Sequence, residues 1–159
     1  MTPDDFRVAL RHFPTGVTIV TTMLDGKPKG FTANAFASVS LEPPMVLICV
    51  NRQARSHPII AAAGLFCVNV LALEQADLAR RFALKGAPDP FAEIAYHLDR
   101  TGSPVLDGSL AYLDCTLAEE HSVGTHTIFI GEVVATGARD GAPLGYFNMD
   151  YRDFGCRIP

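Results

Sequence analysis

Between residues 30 and 51 the chain reads Gly-Phe-Thr-Ala-Asn-Ala-Phe-Ala-Ser-Val-Ser-Leu-Glu-Pro-Pro-Met-Val-Leu-Ile-Cys-Val-Asn. Taken as a strand, it sends Phe31, Ala33, Ala35, Ala37, Val39 and Leu41 to one face. Thr32, Asn34, Phe36, Ser38 and Ser40 go to the other. That second face carries hydroxyls, an amide and an aromatic ring, and no charge. A solvated strand face normally holds a charged residue somewhere along such a run. Neutral hydrogen-bonding groups with small residues between them suit a flat polar heterocycle lying against backbone.

Further on, Arg52, Arg55 and Ser56 stand at the start of a short helical stretch, Ser56-His57-Pro58 through Ala63. Guanidinium groups, a hydroxyl and open helix N–H groups can together hold a phosphate. The plainer reading is that Ser56 caps the helix. Arg80, Arg81 and Lys85 complement the dipole of a second helix, Leu73 to Phe82, and also cluster enough to meet another anion. His126 shares a strand face with Ile128 and Ile130. It reads either as a core or interface histidine, or as a ring-edge donor or acid beside a redox centre. Tyr146, Phe147 and Tyr151 are barrel-closing aromatics or a stacking wall for a planar ring.

The elements that must position these groups are mostly strands. Val17–Met23 and the run from Lys29 form a hairpin through Asp25-Gly26. Met45–Val50 is apolar throughout and is expected to be central, buried on both faces. Leu65–Leu71, Leu110–Leu117, Thr127–Ala135 and Gly145–Phe154 are further strands, and residues 86–91 form a Pro/Gly-rich loop. Thr2-Pro3-Asp4-Asp5 starts a helix with Phe6, Leu10 and Phe13 on one side. The pattern predicts one α+β domain over residues 1–159, mainly antiparallel, built on a closed or nearly closed barrel with a few peripheral helices.

Composition narrows the function. A formal charge of −4 and the lack of a basic run argue against nucleic acid. No apolar run reaches membrane-spanning length, and the acidic start is unlike a signal peptide. Cys49, Cys67, Cys115 and Cys156 show neither paired nor metal-ligand spacing, which predicts reduced thiols, a cytoplasmic protein and no metal site. Charged residues make up only 19%, as expected where an oligomer covers part of the surface. There is no Gly-x-Gly-x-x-Gly after a strand and no Walker loop, so a dinucleotide would have no Rossmann site of its own.

Taken together, Phe13-Pro14-Thr15-Gly16-Val17-Thr18-Ile19-Val20-Thr21-Thr22 and Gly30 to Pro44 closely resemble the short-chain flavin reductase family. These are the reductase components of two-component flavin-dependent monooxygenases. Phe66-Cys67-Val68-Asn69-Val70-Leu71, Gly102-Ser103-Pro104, Gly124 to Gly131 and Pro143-Leu144 agree in order and spacing, over roughly residues 4–154. The resemblance implies an FMN-binding split barrel, usually homodimeric. Such proteins reduce FMN or FAD with NADH or NADPH and pass diffusible reduced flavin to a partner monooxygenase.

Carried over by motif, flavin contacts fall on Thr32, Ala33, Asn34, Ser38, Val39 and Ser40. Asn51, Arg55 and Ser56 match the ribityl and phosphate side, and Phe82 and Ala83 the segment closing over the ring. His126 matches the histidine of the nicotinamide side, in a catalytic role, with Tyr151 near it. Two departures stand out. Gln53-Ala54 replaces a common hydroxyl pair, and Met149-Asp150-Tyr151 puts an acid near the nucleotide, favouring NADH. Two other readings belong to the same barrel: an electron-transfer or redox-sensing flavin module without free-flavin turnover, and an enzyme resembling pyridoxamine-phosphate oxidase.

Overall fold

A computed structural model of the chain describes residues 1–84 and 89–154. Lys85, residues 86–88 of the expected loop and Cys156 lie outside the described residues. The chain begins with α1 (Pro3–Leu10), then β1 (Thr15–Gly16), β2 (Thr18–Leu24), β3 (Lys27–Ala33), β4 (Phe36–Leu41) and β5 (Pro44–Asn51). It continues through α2 (Ser56–Ala63), β6 (Leu65–Val70), a 3-10 turn at Leu73–Gln75 and α3 (Ala76–Ala83). The rest is β: β7 (Tyr96–Leu98), β8 (Pro104–Leu106), β9 (Ala111–Val123), β10 (His126–Ala138), β11 (Leu144–Phe147) and β12 (Asp150–Asp153).

The main sheet has seven strands in the order β3-β2-β6-β9-β10-β5-β4, all paired antiparallel. Its two edges, β3 and β4, are consecutive in sequence, with only Asn34 and Ala35 between them. Three peptide units reach at most roughly 11 Å, so the sheet must curl until its edges nearly meet. The edges are not laddered to each other among the described residues, so the sheet is a split barrel rather than a closed one. A second sheet, β1-β11-β12, and the β7-β8 hairpin complete the fold. The expected last strand, Gly145–Phe154, is thus two strands that pack beside the main sheet rather than closing it.

The continuous strand expected from Phe31 to Leu41 is also two strands. The ladder is interrupted at Asn34–Ala35 and again by a register shift between Ser38 and Ser40. An extra residue flips every side chain beyond it, so the period-two face read from sequence does not run unbroken.

Two cores lie on opposite sides of β2. Val20 packs with Val46, Ile48, Val50, Ile60, Phe66, Val68 and Phe129, while Val17 and Ile19 pack with Leu71, Ala79, Phe82, Phe91, Leu106 and Leu144. β2 is therefore buried on both faces, as is its neighbour β6, whereas Met45–Val50 is not. The threonines of β2 are tolerated inside because each hydroxyl has a backbone acceptor. Thr18 Oγ1 donates to Ala33 O at 2.7 Å, Thr21 Oγ1 to Pro104 O at 2.5 Å and Thr22 Oγ1 to Leu65 O at 2.8 Å. On β5 burial alternates: Val46, Ile48 and Val50 point inward, whereas Met45, Leu47 and Cys49 are half-exposed. Cys49 is thus an outer-face residue rather than a core thiol. Cys67 and Cys115 are buried, and burial followed by the nearby Asp114 charge raises both thiol pKa values, that of Cys115 to about 12.

Helix α1 forms for local reasons. Thr2 Oγ1 accepts from Asp5 N at 3.1 Å and Asp5 returns the bond to Thr2 N at 2.8 Å, a capping box followed by Pro3. Yet none of its residues is buried, and Phe6, Leu10 and Phe13 stand exposed on it and just beyond it.

Candidate functional site at the barrel split

The two-residue joint between β3 and β4 borders an uncharged cavity of about 190 Å³. Thr32, Ala33 and Asn34 supply one wall, Val17 and Ala83 the sides, and Tyr146 and Tyr151 an aromatic wall. At the joint the carbonyls already have donors: Phe36 N reaches Asn34 O at 3.1 Å and Cys49 N reaches Ala35 O at 3.0 Å. The Asn34 amide nitrogen lies 3.3 Å from Thr15 Oγ1. That contact holds the side chain at the cavity and leaves its carbonyl oxygen for another partner.

Helix α3 is brought over this region by a close approach to β3. A Cβ on Gly30 would lie 2.9 Å from Phe82 Cε1, so only glycine lets the ring seat. Thr32 Oγ1 then donates to Ala79 O at 2.6 Å, fastening the helix to the strand that lines the cavity. Phe82 is consequently a buried core residue, packed edge-on against Phe91 at 5.0 Å. Its neighbour Ala83 lines the cavity.

The opposite wall comes from the second sheet. Tyr146 and Tyr151 are cross-strand partners on β11 and β12, with ring centroids 5.8 Å apart. Arg80 of α3 places its guanidinium carbon 5.2 Å from the centre of the Tyr151 ring. Burial raises the Tyr151 pKa, with the Arg80 charge opposing that shift. The phenol therefore stays protonated at neutral pH.

A second group of residues gathers at the far end of β5. Asn51 is the cross-strand partner of His126, and Asn51 Oδ1 accepts from Gln53 N at 2.8 Å. Arg55 occupies the N-cap position of α2, which has no side-chain cap. Ser56 is the first helical residue, so the capping role open to it from sequence is not the one it plays. Arg52 and Arg55 are both exposed, and Arg52 is committed to the Gly124 carbonyl, which leaves Arg55 as the arginine of this corner available to an anion. His57 pins α2 to β10 through Nε2 and Thr127 Oγ1 at 2.8 Å. The His126 Nδ1 lies 2.9 Å from Thr125 Oγ1.

Ser38, Val39 and Ser40 sit on the outer edge strand, at the end of β5 away from Asn51. The pair Ser38–Val46 lies five residues from Asn51, roughly 17 Å along the strand. Ser40 Oγ accepts from Glu42 N at 3.2 Å, and the Glu42–Pro43 peptide that turns the hairpin is cis. Thr32, Ala33, Asn34, Ala83 and Tyr151 are thus brought to one cavity. Asn51, Arg55, Ser56 and His126 form a neighbouring corner. Val17 and Thr15 were not singled out from sequence as contact residues, although both stand in the Phe13–Thr22 motif. Arg80 stood out only as part of a charge cluster.

A larger depression of about 340 Å³ lies elsewhere, at His97, Leu110, Tyr112 and Arg139. The Arg139 guanidinium there is spent on the carbonyls of Gly108, Ser109 and Asp140 and on Glu74. No residue expected to contact a cofactor lines it.

Comparison with known proteins bears on the family and the fold. Residues 10–155 match the family described as flavin reductase like domain. The chain is 44% identical over 152 residues to the reductase subunit HsaB of a flavin-dependent monooxygenase from Mycobacterium tuberculosis, covering 94% of this chain and 81% of the relative. It is 42% identical over 150 residues to the FMN reductase (NADH) RutF of Stutzerimonas stutzeri, covering 93% and 86%. Among solved structures, the NADH:FAD oxidoreductase SgcE6 of Streptomyces globisporus, in complex with NAD and FAD fragments, superposes with a TM-score of 0.90 at 37% identity. That superposition covers 98% of this chain and 96% of the other. The seven-stranded split sheet, the motifs in register along it and these relatives lead to one conclusion: the chain belongs to the flavin reductase-like domain family.

Proposed function

We propose that this flavin reductase seats FMN or FAD at the split between β3 and β4. In that arrangement the ring lies against Thr32, Ala33, Asn34 and the Ser38–Val39–Ser40 edge. The ribityl phosphate reaches Asn51, Arg55 and Ser56, and Phe82 supports Ala83 as it closes from α3. The observation that carries this reading is the uncharged cavity at the joint, walled by Tyr146 and Tyr151, in a chain whose relatives include an NADH-dependent FMN reductase. The residues present suit the group: neutral hydrogen-bonding atoms for the ring, and an exposed arginine beside an uncapped helix start for the phosphate.

Bound flavin supplies a two-electron acceptor for hydride from NADH or NADPH. The chain's part is to hold and shield. The Ser38 and Ser40 hydroxyls and the Asn34 side chain would offer hydrogen bonds to the ring, whereas the Thr32 hydroxyl is held by Ala79 O. Tyr146, Tyr151 and Ala83 would keep water from the side on which the hydride donor meets the ring. His126, with Nδ1 occupied by Thr125, offers Nε2 to the nicotinamide side. Release of reduced flavin to a monooxygenase component follows the role for which HsaB is named.

The same reading makes the protein cytoplasmic and a homodimer. Met45, Leu47, Cys49, Ile128 and Ile130 form a half-exposed apolar patch on the outer face of β5 and β10, with the bare apolar side of α1 as further uncovered surface. A second copy is the occupant that this charge-poor apolar surface favours.

The test is anaerobic turnover of excess FMN and FAD against NADH and NADPH. Many turnovers per protein with at least one pairing are expected. Reduction that stops after one bound flavin per chain would instead make the protein an electron carrier or redox sensor.

A further inference from the structure

The charge cluster at the end of α3 resolves into residues with different duties. Arg81 turns inward along the chain and donates to the carbonyls of Ala92 at 2.5 Å and Asp89 at 3.3 Å. Its charge is used to fasten the segment that follows the helix. Arg80 points the other way. It lies over the ring of Tyr151, a residue of the cavity wall, one helical turn before Ala83, which lines the same cavity.

The nearest acids do not neutralise this position strongly. Arg80 meets Asp77 at 2.6 Å, but both side chains are largely exposed, and such a pair exchanges readily for a better anion. Asp150, the acid expected to repel a nucleotide phosphate, is held at 2.8 Å by Arg152. A guanidinium seated on an aromatic face still presents donors at its rim, in a planar fork suited to phosphate oxygens.

Resting on the reductase reading above, we propose that Arg80 anchors the diphosphate of the pyridine nucleotide while its nicotinamide meets the flavin from the Tyr151 side. The chain has no Rossmann module to carry that charge. In that reading the flavin phosphate has its own cation at Arg55, beside Ser56. Among the described residues, Arg80 is the cation stacked on a wall of the cavity.

The experiment compares Arg80→Gln and Arg80→Lys with the parent enzyme, using NADH and 1-benzyl-1,4-dihydronicotinamide, a hydride donor that has no phosphate. Loss of one charge-assisted phosphate contact should raise KM for NADH about tenfold in Arg80→Gln, with kcat within about twofold. Arg80→Lys should recover part of the loss, and kcat/KM for the phosphate-free donor should stay unchanged. High salt should weaken NADH saturation in the parent more than in Arg80→Gln. A parallel fall with both donors would overturn the proposal, because Arg80 would then be acting only as a prop for Tyr151. An unchanged KM for NADH would also overturn it, as would a weakened flavin affinity in place of a raised KM. Failure of the reductase reading would show separately, as a parent protein that reduces flavin with neither donor.

Discussion

Two hairpins flank the joint at Asn34–Ala35, and they are built on opposite terms. The β2–β3 hairpin, residues 18–33, contains three threonines in its first strand, yet that strand is buried from Thr18 to Thr22 between two cores. The β4–β5 hairpin, residues 36–51, has an almost wholly apolar second strand, yet only alternate residues of it are buried. Burial therefore follows from where a strand lies in the curled sheet and from whether its hydroxyls find acceptors, not from apolar content alone. The first hairpin is an internal clamp. The second keeps one apolar face outward, free for another surface. The joint inherits rigidity from one side and accessibility from the other, a suitable setting for a ligand that must bind and leave.

This contrast is most sharply broken at Gly30. Gly30→Val would force a branched side chain into the 2.9 Å gap to Phe82 and the 3.1 Å gap to Val20 O. The expected cost is about 2–3 kcal/mol, a fall of roughly 5–10 °C in Tm for a domain of this size. An unaltered melting curve would mean that α3 is not clamped onto the first hairpin.

The second hairpin should respond differently. Leu47→Lys, on the half-exposed face of β5, is expected to cost the isolated chain about 1 kcal/mol or less while abolishing the proposed dimer. Sedimentation velocity reads this directly, and a dimer that survives the added charge would place the interface on another face.

The smallest effect on stability is expected at the joint itself. Asn34 is exposed, so Asn34→Leu should leave Tm within about 2 °C, yet weaken flavin binding about tenfold through one lost hydrogen bond. Equal flavin affinity in a fluorescence titration would move the ligand off the split.

Much of this was legible in the sequence. The capping box at Thr2–Asp5 and the helix from Ser56 depend on neighbours within a few residues, and they appear where local chemistry puts them. Strand-forming runs such as Leu65–Val70 and the long pair β9–β10 were likewise visible, although β9 runs on to Val123 and β10 to Ala138, beyond the expected Leu117 and Ala135. Two features of Gly30–Asn51 were not. The register shift at Val39 depends on the partner strand, and no periodicity within one segment reports it. The burial of β2 depends on carbonyls at Ala33, Leu65 and Pro104, which only the folded chain brings to its threonines.

By itself the sequence determined which family the chain joins, that its fold is mainly antiparallel and that residues 32–40 carry neutral hydrogen-bonding groups. Those properties are written in residue type and local order. Tertiary structure alone decided that this stretch is a seam between the two edges of one sheet. It also decided that Tyr146, Tyr151 and Ala83 converge there, and that Arg80 stacks on Tyr151 while Arg81 fastens the segment after the helix. Each of these depends on contacts between residues tens of positions apart, set by how the sheet curls and how α3 packs across Gly30.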